Sequence, residues 1–258
     1  MIDEIKITQA IIESYLNDFK KYLECEVIIC GAGPSGLTAG YYLAKDGVKT
    51  VILEKNLRPG GGLTGGGMMF NKIVVDEKGK EILSDLGINY EKYQEGCYVA
   101  CALETLGALI YQTIKAGAKI FNLITVEDLL FHKEVIGGVV INWTAVNMAN
   151  LHVDPMAMRS KYVVDATGHA CEIVRILEKK MGKVLFTSTG GIIGEKLMNA
   201  EMGERFVVEN TKEVYHRLYV CGMAANSVFG GPRMGPIFGG MFLSGKKVAE
   251  LIKTQLKC

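Results

Sequence analysis

The sequence predicts an α/β fold, a Rossmann-like doubly wound sheet carrying an antiparallel β insertion, and three observations predict it. From Glu26 an apolar run VIIC, a glycine turn GAGPSG, a helical run LTAGYYLAKDG and a second apolar run KTVILEK follow within about thirty residues, which is a βαβ unit. Two later apolar runs, in MRSKYVVDATGHA and LYVCGMAA, also end in turns, as parallel strands do at one edge of a sheet. The stretch KIFNLITVEDLLFHKEVIGGVVINW alternates at period two, the pattern of a small antiparallel insertion.

Each element can be justified in order. Ile5, Ile12, Tyr15, Leu16, Phe19, Tyr22 and Leu23 recur at helical spacing, so a first amphipathic helix is expected after Thr8, a suitable N-cap, packed on the domain ahead of the first core strand. The βαβ unit leads into RPGGGLTGGG, Arg58 to Gly67, whose six glycines predict a ligand-facing loop with no regular structure. Helical patterns EILSDLG and LETLGALIYQTIKAGA flank a short apolar strand around Tyr98 to Ala102. In the alternating stretch Gly137 and Gly138 mark a tight turn or bulge. After the DATGHA and LYVCGMAA turns, GGPRMGPIFGGMFLSG precedes a closing helix SGKKVAELIKTQLK. No repeat or linker interrupts the chain, so residues 1–258 are expected to form one dinucleotide-binding domain with an N-terminal helix and an insertion at about 119–145.

Composition narrows the function. Hydrophobic residues are 49% and charged residues 22%, which excludes disorder, and no apolar run approaches the roughly 18 residues of a spanning helix. Lys+Arg 29 against Asp+Glu 28 leaves +1 with no basic stripe, so neither nucleic acid nor a membrane is an expected partner. Cys25, Cys30, Cys97, Cys101, Cys171, Cys221 and Cys258 are odd in number and form no CxxC pair, so they read as reduced thiols in a cytoplasmic protein. The N-terminal segment lacks the apolar core of a secretory signal. Glycine is abundant, 31 residues in 258 where roughly 7% is usual, while Pro is only 5, which points to close backbone approach to a ligand.

Gly31, Gly33 and Gly36 form G-x-G-x-x-G directly between a strand and a helix, the context that makes this motif specific. Gly31 allows the tight turn, Gly33 the approach of a pyrophosphate and Gly36 the close helix-strand contact, with the helix N-terminus adding partial positive charge. Glu54, 18 residues beyond Gly36, is placed to accept both hydrogen bonds of an adenosine ribose diol, and its charge disfavours a 2′-phosphate. An ADP-containing ligand is the expectation; a nucleotide-like turn holding nothing is the alternative. DATGHA and LYVCGMAA resemble the architecture of two-dinucleotide-binding flavoproteins. Gly222-Met223, however, stands where those proteins carry Gly-Asp, whose carboxylate holds the flavin ribityl chain. Methionine cannot accept that bond, so the adenylate half is expected to bind and the flavin half to be absent.

His132, His152, His169 and His216 are the four histidines. In an extended LHVDP, His152 and Asp154 would project to one face, and His169 follows the strand YVVDAT at the sheet edge where open α/β folds bind ligands. Asp and His without a thiolate suit a hard or borderline divalent metal such as Fe(II) with open positions. An Asx-type turn at Asp154-Pro155 and a capping role for His169 remain open on spacing alone. Arg233, in the Gly-Pro-Arg-Met-Gly-Pro turn, reads as an anion-binding arginine buried among glycines and prolines, with a surface salt bridge as the alternative.

At this combination of motifs the chain resembles the thiamine thiazole synthase family, of the archaeal, sulfide-using type. The resemblance runs through VIICGAGPSGLTAGYYLA, the PGGG loop, GVVINWTAV, LHVDP, TGHA and GGPRMGPIFGGM to the closing helix, and LHVDP, TGHA and PRMGP lie outside the generic flavoprotein pattern. It implies a reaction that consumes NAD as substrate: nicotinamide is lost, the ADP-ribose opens and isomerises, glycine condenses as an imine, and sulfur enters before ring closure. The implied product is an ADP-linked 5-(2-hydroxyethyl)-4-methylthiazole-2-carboxylate. The resemblance places the ADP-ribose part on Gly31, Gly33, Ser35, Gly36, Glu54, Lys55 and Gly62, with Val126, His152, Val153, Asp154 and Met223 around it, and the glycine carboxylate on Arg233. It makes Asp154 and His169 iron ligands from neighbouring subunits of a homo-oligomer, an octamer in the family. In eukaryotic members a cysteine that gives up its own sulfur stands at the place of His152. Imidazole cannot do so, which implies free sulfide, Fe(II) and multiple turnovers, with His152 a proton-transfer group or polar wall. The alternatives are a flavin-dependent oxidoreductase, a ribose-bisphosphate isomerase on the same fold, and a nucleotide- or thiol-sensing protein.

Overall fold

The computed structural model describes residues 2–257, so Cys258 lies outside the described residues. Helix α1 (Glu4–Tyr22) leads to β1 (Val27–Cys30), α2 (Pro34–Lys45) and β2 (Thr50–Glu54). Then come β3 (Lys72–Val75), α3 (Glu77–Asp85), β4 (Tyr90–Gln94), β5 (Cys97–Cys101), α4 (Ala102–Lys115) and β6 (Lys119–Asn122). Strands β7 (Ile124–His132) and β8 (Val135–Trp143), the short α5 (Thr144–Met148), β9 (Met156–Arg159) and β10 (Tyr162–Asp165) follow. The chain closes with α6 (Glu172–Met181), α7 (Ala200–Glu209), β11 (Lys212–Tyr215), β12 (Leu218–Val220), α8 (Met223–Phe229) and α9 (Gly239–Lys257).

The central sheet runs β11-β12-β10-β1-β2-β6, parallel except for β11. The fold is α/β, as the sequence predicts. From β1 the order proceeds to β2 on one side and β10 on the other, so the carboxyl end of β1 is the topological switch point. The inner strands β1, β2, β10 and β12 are buried on both faces and divide their side chains at period two. Val27, Ile29, Ile52 and Tyr219 enter the core shared with α2, α4 and α9. Ile28, Cys30, Val51, Leu53, Leu218 and Val220 enter the core shared with α6 and the inserted sheet.

Several elements differ from expectation. Lys119–Asn122 pairs with β2 and is the edge of the central sheet, so the insertion is β7-β8-β9, beginning after residue 119 and ending well beyond 145. Period two cannot tell an edge strand of one sheet from the first strand of another. The β7-β8 turn is made by Lys133 and Glu134, both at positive φ, while the bulge falls at the glycines, where Leu130 faces Gly138 and Phe131 faces Ile136. The apolar strand expected at Tyr98 is the centre of a second antiparallel sheet, β3-β5-β4, whose polar edge YEKYQ gives no alternation to read. The 58–67 segment is not wholly irregular: Gly61–Gly65 forms a 3-10 turn.

Helix α1 begins four residues before Thr8. Asp3 is its N-cap, accepting from the Lys6 amide at 2.9 Å, and Thr8 donates back to the Glu4 carbonyl from inside the helix. Only its last turns pack on the domain, where Phe19 meets Phe121 edge-on at 5.3 Å and Tyr15 meets it at 5.7 Å. Ile5, Ile12 and Leu16 are exposed, so of the apolar stripe read from the sequence only Tyr15, Phe19, Tyr22 and Leu23 pack within the chain. No helix among the described residues is long and apolar enough to cross a membrane. The described cysteines are free thiols; burial pushes those of Cys25, Cys171 and Cys221 up to about 12 and raises that of Cys30 well above its ordinary value, which lowers the reactivity of these four.

Glu204 of α7 is buried against the start of α9, where Oε2 accepts the Gly240 amide and Oε1 has no hydrogen-bond partner among the described residues. Burial, with the nearby Asp76 carboxylate, raises its pKa to about 7. A carboxyl whose folded pKa lies above its unfolded one stabilises the fold at low pH and loses that contribution as pH rises through the folded value. Wild-type unfolding free energy is therefore expected to fall between pH 4.5 and 7.5 by an amount of order 2–3 kcal/mol, and Glu204→Gln to flatten this decline, as read by urea titration at each pH. An unchanged slope in the variant would assign the pH dependence elsewhere.

Candidate active site at the carboxyl edge of the parallel sheet

The strand ends at the switch point open into a cleft of about 630 Å³, within the range of small-molecule sites. Its floor is the glycine turn. Gly31 sits at φ +106, and a Cβ there would lie 2.5 Å from the Ala166 carbonyl oxygen. A Cβ on Gly36 would lie 2.0 Å from the Gly31 oxygen, so both positions exclude a side chain. At Gly33 a Cβ would meet nothing within 4 Å, and the residue lines the cleft. Pro34 opens α2 at a position where no amide hydrogen is needed, and Ser35 is buried in the first turn beside Gly222. The first turn of α2 carries no acid, so the partial positive charge of the helix end is unopposed there.

Glu54 lines the cleft and is buried at the end of β2. Its Oε2 accepts from the Ala32 amide at 2.9 Å, and its Oε1 from the Asn56 amide at 2.8 Å and the Asn56 Nδ2 at 2.7 Å. Three of about four acceptor positions on a carboxylate are thus used. The expectation of two bonds to a ribose diol is too generous: room remains for one unless Asn56 moves, because the carboxylate also holds the glycine turn. Lys55 lines the cleft wall and pairs with Glu172 of α6. Gly62 and Val126 line it too, and Met223, buried at the start of α8, forms part of its base.

Arg233 also lines the cleft, but it is exposed rather than buried. The Gly-Pro-Arg-Met-Gly-Pro turn buries its neighbours Pro232 and Met234 and projects the arginine outward. Its backbone is fixed by hydrogen bonds to the carbonyl of Lys196 and from the amide of Asn199, while its guanidinium has no ion pair among the described residues. Beside it a recess of about 470 Å³ is lined by Met68, Met198, Met223, Met234 and Met241 and bordered by His169 and Arg233.

His169 is held by the turn after β10. The wholly buried Asp165 accepts from Thr167 through Oδ1 and from the Ile173 and Val174 amides, each at 3.1 Å, through Oδ2. These bonds cap α6, so His169 is not its cap; burial still raises the Asp165 carboxyl above its ordinary value. The exposed imidazole lines both the cleft and the recess, and its Nδ1 lies 2.6 Å from Glu195 Oε1. The sequence offers no signal for Glu195, which is 26 residues away in an irregular segment, nor for Ser227, whose Oγ lies 2.7 Å from the His169 carbonyl and 3.1 Å from Glu195 Oε1.

His152, Val153 and Asp154 lie on an exposed loop between α5 and β9 and line neither the cleft nor the recess of their own chain. Among the described residues their one side-chain tie is the Val153 carbonyl, which accepts from Asn142 Nδ2 at 3.0 Å, and no Asx-turn hydrogen bond forms at Asp154. One chain therefore does not bring Asp154 to His169, and among the described residues no group of three His, Cys, Asp or Glu side chains could hold a metal.

The glycines separate binding from folding. Gly33→Ala should unfold in urea within about 1 kcal/mol of wild type, yet bind ADP-ribose about tenfold or more weakly by calorimetry. Gly36→Ala should lose about 1–3 kcal/mol or more of stability. Equal loss of stability in both would contradict an open face at Gly33.

The family model described as Thi4 family matches residues 8–238. The chain is 54% identical over 256 residues to a thiamine thiazole synthase of Methanothermobacter thermautotrophicus, with 99% of each chain covered. It is 53% identical over 260 residues to one of Pyrococcus furiosus, again with 99% of each covered. The crystal structure of Thermovibrio ammonificans THI4 superposes with a TM-score of 0.98 at 47% identity over the full length of both chains. Sequence and fold agree over nearly the whole length, and the chain belongs to the Thi4 family, together with the thiamine thiazole synthases it matches.

Proposed function

We propose that the chain converts NAD, glycine and free sulfide into the ADP-linked thiazole carboxylate in an Fe(II)-dependent, multiple-turnover reaction. The observation that carries this reading is a cleft in a Thi4-family chain where a glycine turn, Glu54, an unpaired arginine and His169 converge. The ADP-ribose part of NAD lies with its pyrophosphate over Gly31, Gly33, Ser35 and Gly36 at the start of α2, and with its ribose on Glu54. Lys55, Gly62, Val126 and Met223 wall it in. Arg233, free of protein carboxylates, takes the glycine carboxylate bidentately and presents the amine toward the sugar carbon. His152 carries no sulfur to donate and exchanges protons as substrates condense. Fe(II), when bound, supplies Lewis acidity and a site for sulfide.

The donor chemistry fits such an ion only across a homo-oligomer. His169 offers one imidazole whose Nδ1 is engaged by Glu195, and Asp154 offers a carboxylate with no ion pair among the described residues, on a loop outside its own cleft. With His152 and Val153, Asp154 would complete the cleft of a neighbouring copy. Exposed Leu151, Met68, Met69, Phe70, Leu197 and Met198, with Ile5, Ile12 and Leu16 of α1, supply apolar surface for the octameric assembly that the family resemblance implies.

Anaerobic protein incubated with NAD, glycine, sulfide and Fe(II) is expected to yield the adenylated thiazole by mass spectrometry, in more than one equivalent per chain, and to fail when any component is omitted. Intact NAD in every mixture would end this reading, and product without sulfide, with sulfur lost from a cysteine, would overturn the role given to His152. Asp154→Ala and His169→Ala should each be inactive, whereas co-expressed together they should recover part of the activity through mixed sites. No recovery in verified mixed assemblies would refute a shared site.

A further inference from the structure

We propose that Glu195 is the positioning residue of His169: its carboxylate fixes the tautomer and aim of the imidazole, with the proton on Nδ1 and Nε2 left as the open lone pair of the ring. A carboxylate can only accept, so a ring nitrogen 2.6 Å from Glu195 Oε1 must donate to it. In the neutral ring, the form that can ligate a metal, the lone pair then lies on the nitrogen across from it. Glu195 is also the better sheltered partner, with a side chain 19% exposed against 52% for His169, as befits a fixed acceptor orienting a group that faces the cleft.

The acceptor is anchored through its backbone. The segment carrying it lies along α8, with the Ile193 amide donating to the Val228 carbonyl at 3.1 Å, the Gly194 amide to Ser227 at 2.9 Å and the Lys196 amide to Gly231 at 2.9 Å. Gly194 adopts φ +90, a conformation glycine permits, just before Glu195. The Ser227 hydroxyl closes the arrangement, its single proton shared between the His169 carbonyl and Glu195 Oε1, so that side chain and backbone of the histidine are referred to the same helix. Carboxylates that orient a ligating histidine in this way change metal affinity by about 10–100-fold.

The test has one arm that rests on the metal reading of His169 above and one that does not. In metal-free protein labelled with 15N-histidine, magic-angle-spinning NMR, assigned with His169→Gln, should show the Nδ1–H tautomer at His169. Glu195→Ala should convert it to the Nε2–H form that histidine favours in water, and Glu195→Gln should keep Nδ1–H because the amide oxygen still accepts. Anaerobic Fe(II) titration should give about 10–100-fold weaker binding in Glu195→Ala and recovery to within a few-fold of wild type in Glu195→Gln. An unchanged tautomer in Glu195→Ala overturns the proposal, as does a Glu195→Gln protein that keeps the tautomer but binds Fe(II) as poorly as Glu195→Ala, which would make Glu195 a direct ligand. If the tautomers behave as expected and even the wild type fails to bind Fe(II), the positioning role stands and the metal reading of His169 falls.

Discussion

The site depends on backbone meeting backbone where β1 and β10 end beneath the first turn of α2. Gly31, Gly36 and Ala166 approach so closely there that a methyl group on either glycine would overlap a carbonyl oxygen. This contact sets how near the helix N-terminus comes to the sheet edge, and hence the depth of the cleft floor. It also places Thr167, Gly168 and His169, which continue from Ala166, on the wall facing the glycine turn. A side chain at either position would raise the floor and move that wall.

Carboxylates hold the turns that radiate from this contact. Glu54 accepts from Ala32 within the glycine turn, Asp165 caps α6 and braces the segment that carries His169, and Glu204 accepts from the start of α9. Each takes up amides that have no partner within their own element. At Glu54 this role and any ligand's bonds compete for the same lone pairs, and structural bonds occupy most of them. The identity of this acid is thus constrained by the turn as much as by any ligand.

The outer surface is arranged differently. The first half of α1, the tips at Met68 to Phe70 and Leu197 to Met198, and the 151–155 loop leave apolar and ligand-type side chains exposed. The cleft in one chain has an imidazole, an arginine and a glycine turn, and its own Asp154 does not line it. An assembly in which a second copy covers the recess would account for the apolar surface and the stranded carboxylate together.

Local sequence determined the elements whose signal is local. Apolar runs buried on both faces became β1, β2, β10 and β12, and the strand-turn-helix context of Gly31, Gly33 and Gly36 marked the cleft floor, with the clash at Gly36 acting against Gly31 five positions away, whereas the one at Gly31 acts against the distant Ala166. Tertiary structure alone decided that Lys119–Asn122 joins the central sheet, that polar YEKYQ forms a sheet edge and that Ile5, Ile12 and Leu16 of α1 stay exposed, since each depends on which distant surface is offered for pairing. The same holds at the site. Residue types and motifs singled out His169 and Arg233, but the outward aim of Arg233, the distance of Asp154 from its own cleft and the pairing of His169 with Glu195 follow from how loops dock on α8 and the sheet, which no spacing in the chain encodes.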